Sequence, residues 1–135
     1  MVDPNKPDYE RGDFLVRGLI GADEETGAVT VGAGVRRGQT VRLQVRDAES
    51  AHDDLVHALG RQVAALGGPP AGALLFTCNG RGSHMFGTPG HDAEAVADAF
   101  VGAPTAGFFC AGEIGPVGGR NYVHGFTATL AVFAG

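Results

Sequence analysis

Lysine is nearly absent from this sequence of 135 residues, and its scarcity restricts the partners that the protein can have. The chain carries a single lysine, Lys6, and its arginines are spread along the sequence. The net charge is -5 and the isoelectric point lies near 5.4. A nucleic-acid surface needs clustered lysine and arginine to neutralise phosphates. The composition therefore argues against DNA or RNA as a partner.

Cysteine is also scarce, and long apolar runs are missing. Cys78 and Cys110 lie inside short apolar segments and form no CxxC pair, so neither a disulfide framework nor a common zinc motif is indicated. No window approaches the roughly 18 unbroken apolar residues of a membrane span. The first residues contain no apolar signal region. These absences predict a cytoplasmic domain with no membrane partner.

The length favours one domain covering residues 1–135, because domains usually hold about 100–200 residues. Residues 1–12 are polar and contain Pro4 and Pro7, so they predict an extended lead-in. A chain of 13.8 kDa can hide about two-thirds of its surface and should expose about 6,600 Å² when folded. A hydrophobic core is therefore expected without disulfides.

Hydrophobic patterning predicts an α+β fold with a mostly antiparallel sheet of about six strands and two helices packed on one face. Residues 40–46 alternate strictly between apolar and polar, which is typical of a half-buried strand. Residues 73–78 form a continuous apolar run, as expected for a central strand. The predicted strands cover 14–20, 28–31, 40–46, 73–78, 105–113 and 122–133, and the predicted helices cover 51–66 and 93–100.

Glycine is abundant, with 23 residues, more than twice the ordinary usage of about 7%. Two glycine-rich segments, 78–87 and 112–121, each follow an apolar strand and each carry an arginine. Glycine permits positive φ and lets a ligand approach the backbone. Arg81 and Arg120 are expected to hold a ligand anion, and Glu113 its cation, as in an amino acid. The candidate ligand-binding residues are Cys78, Asn79, Gly80, Arg81, Gly82, Glu113, Gly115, Arg120, Asn121 and His124.

The histidines and cysteines leave two chemical alternatives open. His84, His91 or His124 together with a cysteine could ligate a metal or haem iron. A thiol or acid–base enzyme could use Cys78, Glu113 and His124. No metal site and no catalytic residue is assigned, because no catalytic signature is present. The two histidines of the first helix, His52 and His57, are expected to face solvent.

Several segments, taken in order, resemble the C-terminal domain of FIST proteins. The resemblance covers nearly the whole chain and is most specific in two long segments, LFTCNGRG at 75–82 and GFFCAGEIGP at 107–116. Shorter matching segments are 9–17, 45–48, 86–87, 91–92 and 124–127.

The resemblance implies a non-catalytic intracellular sensory domain that binds a small molecule such as an amino acid and passes the signal to attached signalling domains. Some members of the family look like haem-based sensors. The resemblance also implies an N-terminal FIST half, so this chain is expected to be the C-terminal half of a longer protein. A further alternative is an interaction platform for that half, which predicts an exposed apolar patch larger than a few hundred Å².

Overall fold

A computed structural model describes residues 8–10 and 12–135, so most of the predicted lead-in lies outside the described residues. The chain has the predicted α+β composition. Its strands are β1 Leu19–Ala22, β2 Val29–Val31, β3 Pro70–Cys78, β4 Thr105–Cys110, β5 Glu113–Val117, β6 Arg120–His124 and β7 Ala128–Ala134. Its helices are α1 Ala48–Leu66, α2 Ser83–Phe86 and α3 His91–Ala99, and a 3₁₀ turn covers Asn79–Arg81.

The central sheet has the strand order β4-β3-β7, and the predicted antiparallel arrangement is only partly correct. β3 pairs with β7 antiparallel, but it pairs with β4 parallel. The connection between β3 and β4 contains α2 and α3, and a helical crossover of this kind returns the chain in the same direction. The other strands form two hairpins, β1-β2 and β5-β6, so the described residues hold seven strands in three sheets.

Helix α1 begins and ends where its flanking residues dictate. The Asp47 side chain accepts a hydrogen bond from the Ser50 backbone N–H at 2.7 Å, which satisfies a free donor of the first turn. Gly67 ends the helix with a left-handed φ of 68°, a conformation that glycine adopts without steric cost. The helix is thus fixed by local sequence at both ends.

The hydrophobic core lies between the central sheet and the two longer helices. Leu55 and Leu59 of α1 and Val96 of α3 pack with Ala73 and Leu75 on one face of β3. Phe100, just after α3, is buried in the same cluster. The helices therefore cover one face of the sheet, as the sequence predicts.

The segment before α1 differs most from the prediction. The strand predicted over 14–20 begins only at Leu19, and the strand predicted over 40–46 is absent. Its apolar side chains point to solvent, and Leu43 is 88% exposed. A strand requires a neighbour that pairs with its backbone, and no described strand runs beside 40–46. The apolar side chains of residues 40–46 therefore alternate with polar ones, but no described element covers them.

Two predicted strands are each broken into shorter elements. The run predicted over 122–133 divides into β6 and β7 because Phe126 takes a left-handed φ of 61°, which ends extended pairing. The strand predicted over 105–113 ends at Cys110, and β5 begins at Glu113. These two bends fold the β5-β6 hairpin against β3 and β7.

The second face of the central sheet is largely uncovered. Leu74, Phe76 and Phe108 share this face through their register, and the rings of Phe76 and Phe108 meet edge to face at 5.2 Å. Phe108 is 63% exposed. The total accessible surface is 9274 Å², whereas a compact monomer of this mass exposes about 6,600 Å². The chain thus exposes more surface than a compact domain of the same mass.

Among the residues that the structure describes, no helix combines the length and apolar character needed to cross a membrane.

Candidate functional site

The turn that follows β3 carries five of the predicted site residues. Cys78 ends the strand, and its sulfur accepts a hydrogen bond from the Gly80 backbone N–H at 3.5 Å. Gly80 lies against the ring of Phe126, and a Cβ at this position would lie 2.3 Å from a ring carbon. Any larger residue at position 80 would therefore force the Phe126 ring to move.

Arg81 is buried with its charge neutralised inside the protein. Its Nε donates to Asp92 Oδ2 at 2.7 Å and its Nη2 donates to Asp92 Oδ1 at 2.8 Å. Nη2 also reaches the Ala51 carbonyl at 3.4 Å, and the Thr77 hydroxyl donates to Asp92. Both charged side chains are about 95% buried. Such a two-bond ion pair leaves Arg81 little capacity to hold a ligand anion.

The carboxyl group of Asp92 stays ionised despite its position. Burial alone raises its pKa, but hydrogen bonds from Arg81, Thr77 and His91, together with the Arg81 charge, act more strongly in the opposite direction. The pKa of Asp92 therefore lies below its ordinary value. The ion pair between Arg81 and Asp92 links α3 to the turn that follows β3.

His91 extends this cluster toward the surface. Its ring stacks on Phe86 with centroids 3.6 Å apart, and its Nδ1 lies 3.0 Å from Asp92 Oδ1. Because a carboxylate only accepts, His91 Nδ1 donates to it. His91 Nε2 lies 3.0 Å from Nδ1 of His52. His52 is exposed, as predicted, but it is also tied to α3 through this contact.

Glu113 is the most buried charged residue described, at 1% exposure. Its Oε2 accepts from the Thr127 backbone N–H at 3.2 Å and from the Thr127 hydroxyl at 2.9 Å. Its Oε1 accepts from the Cys110 thiol at 3.3 Å. These bonds hold the start of β5 against the residue before β7, so Glu113 is engaged within the fold.

The remaining predicted residues lie along the β5-β6 hairpin. His124 is the register partner of Glu113, and its Nε2 lies 2.9 Å from the Gly115 carbonyl oxygen. Arg120 and Asn121 are exposed and follow the turn at Gly118 and Gly119. Gly115 is buried, and a Cβ there would meet Thr129.

The structure does not place Arg81 and Arg120 around one described cavity. A cavity of about 210 Å³ borders Arg81, His91 and Asp92 beside β4, and no residue of 113–124 lines it. Among the described residues, no group of three His, Cys, Asp or Glu side chains is arranged to hold a metal ion. Cys78 bonds to a backbone N–H rather than to His124. These contacts do not assemble the thiol enzyme that uses Cys78, Glu113 and His124.

A larger cleft of about 470 Å³ lies between the segment before α1 and the end of β6. Two arginines line it, and among the described residues neither Arg17 nor Arg46 joins a salt bridge. The guanidinium carbon of Arg46 lies 3.5 Å from the centre of the Phe126 ring, a cation–π contact. The cleft is lined by Val16, Arg17, Gly18, Gly32, Arg46, Val123, Gly125 and Phe126.

Sequence reasoning missed this cleft because its two arginines are 29 positions apart and neither lies in a glycine-rich loop. The alternating pattern over residues 40–46 places Arg46 on the polar side of the predicted strand. The feature of the sequence that could have indicated the cleft is the pair Arg42 and Arg46 on the polar side of residues 40–46, opposite the apolar side chains.

Comparison with known proteins agrees with the resemblance found in the sequence. The model of the FIST C domain matches residues 2–116. An uncharacterized protein of Mycobacterium tuberculosis is 58% identical over 133 residues, which is 98% of this chain and 35% of that protein. An uncharacterized protein of Mycobacterium bovis is 51% identical over 133 residues, 98% of this chain and 34% of that protein. The chain thus spans about a third of the length of these relatives.

Proposed function

This chain belongs to the FIST C domain family, and from that premise we propose that it is a cytoplasmic sensory module that binds a small anionic ligand without converting it. The observation that carries the proposal is the 470 Å³ cleft lined by Arg17 and Arg46. Its size lies within the range of about 300–1,000 Å³ typical of small-molecule sites.

The lining of the cleft indicates the class of ligand. A guanidinium group without an acidic partner binds a carboxylate or phosphate with two parallel hydrogen bonds. Val16 and Val123 add an apolar wall, and Gly18 and Gly125 let a ligand approach the backbone. A small molecule with a carboxylate at one end and an apolar part at the other fits these groups. Amino acids belong to this class.

The contacts of Phe126 suggest how binding is passed to the rest of the domain. One side of the ring carries Arg46, and the ring also touches Gly80 in the turn after β3. A ligand that draws Arg46 away from the ring removes a cation–π contact of about 0.5–1 kcal/mol. The ring then changes its contact with Gly80, next to the buried Arg81. Among the residues predicted from sequence, Gly80 is therefore the closest to the proposed signal path.

The other predicted binding residues take different parts in this proposal. Arg81 and Glu113 support the loops from inside the fold, since their polar groups are bonded to protein partners. A direct ligand role for Arg120 and Asn121 stays a prediction. The haem alternative is less favoured at His91, where both ring nitrogens are engaged, and at Nε2 of His124.

Replacing Arg17 or Arg46 by alanine is expected to weaken ligand binding by about 10- to 100-fold, because a hydrogen bond to a charged group contributes about 1.5–3 kcal/mol. The probe is a panel of the L-amino acids and small dicarboxylates in a thermal-shift screen, with each hit remeasured by calorimetry. A ligand at 100 times its Kd stabilises the native state by about 2.7 kcal/mol.

Arg37 provides the matched control, because it is an exposed arginine outside the cleft. Arg37→Ala should keep the affinity of the unchanged chain. The proposal is wrong if no compound of the panel stabilises the domain, or if a hit binds equally well to Arg17→Ala and Arg46→Ala.

We further propose that the uncovered face of the central sheet docks the N-terminal FIST half. This chain matches only about a third of each relative's length. A large part of those proteins is therefore available to cover the exposed face of the sheet. The accessible surface of the whole chain, including the exposed segment before α1, exceeds that of a compact monomer by about 40%. Leu74, Phe108 and Phe133 are exposed together on this face. A contiguous apolar surface of this kind marks an interaction site.

Phe108→Glu is expected to abolish this association, because docking would bury a carboxylate in an apolar interface. The chain is mixed with the part of the Mycobacterium tuberculosis relative that lies outside the matched third, and the complex is measured by size-exclusion chromatography with light scattering. Val101→Glu is the control, since Val101 is 81% exposed in the loop after α3. Absence of a complex, a homodimer formed through this face, or an unaffected Phe108→Glu complex would each contradict the proposal.

A further inference from the structure

Cys78 and Cys110 end two neighbouring strands at the same level. They are register partners in the parallel pair of β3 and β4, and both thiols are free. Strands in a sheet lie about 4.8 Å apart, so the two Cα atoms are within the range of about 4.4–6.8 Å that a disulfide spans. Register partners also point to the same face of the sheet. The two sulfurs are thus directed to the same side.

The surroundings of the two thiols differ in a way that assigns them separate roles. The Cys78 sulfur accepts a hydrogen bond from the Gly80 backbone N–H at the start of the 3₁₀ turn. The single S–H of Cys110 instead faces two acceptors, Glu113 Oε1 at 3.3 Å and the Thr77 carbonyl oxygen at 3.5 Å. Burial and then the Glu113 carboxylate raise the pKa of the Cys110 thiol. The Cys110 proton is thus held between acceptors, so we assign Cys78 as the attacking sulfur and Glu113 as the group that removes the Cys110 proton.

We propose that Cys78 and Cys110 form an oxidation site at which a small hydroperoxide produces an intramolecular disulfide. The Cys78 sulfur attacks a peroxide oxygen, the O–O bond breaks, and a sulfenic acid forms while the Cys78 proton passes to the leaving oxygen, which departs as water or an alcohol. Glu113 then takes the Cys110 proton, and the Cys110 sulfur attacks the Cys78 sulfur. The S–O bond breaks, and hydroxide leaves as water with that proton. Two thiols are oxidised for each peroxide reduced.

The disulfide would change the network around Glu113. The reduced protein satisfies Glu113 Oε1 with the Cys110 S–H, and oxidation removes this donor. Glu113 keeps its bonds to Thr127, which joins β6 to β7 next to Phe126. A buried carboxylate that loses a partner draws in another donor or shifts. Oxidation is thus expected to alter the loop beside the 470 Å³ cleft, although the thiol site itself does not depend on that cleft binding a ligand.

The test treats the whole chain with hydrogen peroxide and follows its intact mass and its peptides. We expect the loss of two hydrogens and a linked peptide containing Cys78 and Cys110. Cys110→Ser should stop at a sulfenic acid on Cys78 that dimedone traps, and Cys78→Ser should give neither product. Glu113→Gln should form the sulfenic acid at an unchanged rate and the disulfide about 100-fold more slowly, because it removes a general base.

Thermal melting of each variant verifies that it is folded, and the two serine variants keep the proposal falsifiable if Glu113→Gln does not fold. The proposal is overturned if peroxide adds only oxygen to Cys78 while Cys110 stays free. It is equally overturned if disulfides form only between molecules, or if dimedone labels Cys110 in Cys78→Ser. The proposal is also overturned if either serine variant still loses two hydrogens.

Discussion

Replacing Asp92 by alanine is expected to lower the free energy of unfolding by about 3–5 kcal/mol, because it leaves the Arg81 guanidinium buried without a counter-charge. Arg81 is 6% exposed, and Asp92 accepts two of its hydrogen bonds. Urea denaturation followed by circular dichroism measures the loss. Asp98→Ala is the control on the same helix, since Asp98 is exposed and should change stability by less than about 0.5 kcal/mol.

The double variant Arg81→Met with Asp92→Leu separates the ion pair from the packing around it. Replacing both partners by apolar residues is often neutral or stabilising, because no charge is then left buried. We expect this variant to recover most of the stability that Asp92→Ala loses. An Asp92→Ala protein as stable as the unchanged chain would show that Arg81 is not held by this pair, and would return it to the set of ligand-binding candidates.

The pH dependence of stability has a defined sign in this region. Asp92 has a lowered pKa in the folded chain and an ordinary pKa near 3.8 in the unfolded chain. Its contribution is therefore fully present above the unfolded value and is lost as the pH falls through the folded value. The unchanged chain should lose stability as the pH falls below about 4, and Asp92→Asn should lack this part of the loss.

Gly107→Ala is expected to cost about 3 kcal/mol or more, at the upper end of overpacking costs, because the space for a side chain is occupied by backbone. A Cβ at residue 107 would lie 1.9 Å from the Leu75 carbonyl oxygen. A flexible side chain could move aside, but Leu75 lies in the central strand of the sheet. The pairing of β3 with β4 must therefore loosen. Urea denaturation and hydrogen exchange at β4 measure the effect.

Gly60→Ala is the matched control for this change. Gly60 lies in α1, and a Cβ there meets nothing within 4 Å. Alanine in a helix is favoured over glycine by about 0.5–1 kcal/mol, so this variant should be more stable than the unchanged chain. A Gly107→Ala protein with unchanged stability would mean that β3 and β4 do not approach as closely as the structure indicates.

Local sequence was sufficient to predict the elements that depend on short-range chemistry. Helix α1 followed from the apolar spacing over residues 51–66, and β3 followed from the continuous apolar run over residues 73–78. The parallel pairing of β3 with β4 did not follow, because it depends on how a helical connection packs. The break at Phe126 was also missed, since an aromatic residue with positive φ is sterically uncommon.

The site was harder to predict, since charged side chains find partners that are remote in sequence. The sequence predicts that Arg81 meets a ligand, and the structure shows it paired with Asp92, 11 positions later in the chain. No local pattern shows which of several acidic residues will close such a pair. The false strand at 40–46 has a related cause. The alternating pattern predicts that one side of residues 40–46 packs against a neighbouring element, and no described element does so.

β4 has a single strand neighbour, β3, so its outer backbone donors and acceptors are unpaired in the described sheet. The segment TAGFFC contains no charged residue and no proline, the residues that usually discourage strands of different molecules from joining. At high concentration, purified molecules are then expected to associate with one another by pairing along the free edge of β4. A charged residue introduced at the exposed Phe108 should act as a gatekeeper and keep the preparation monodisperse.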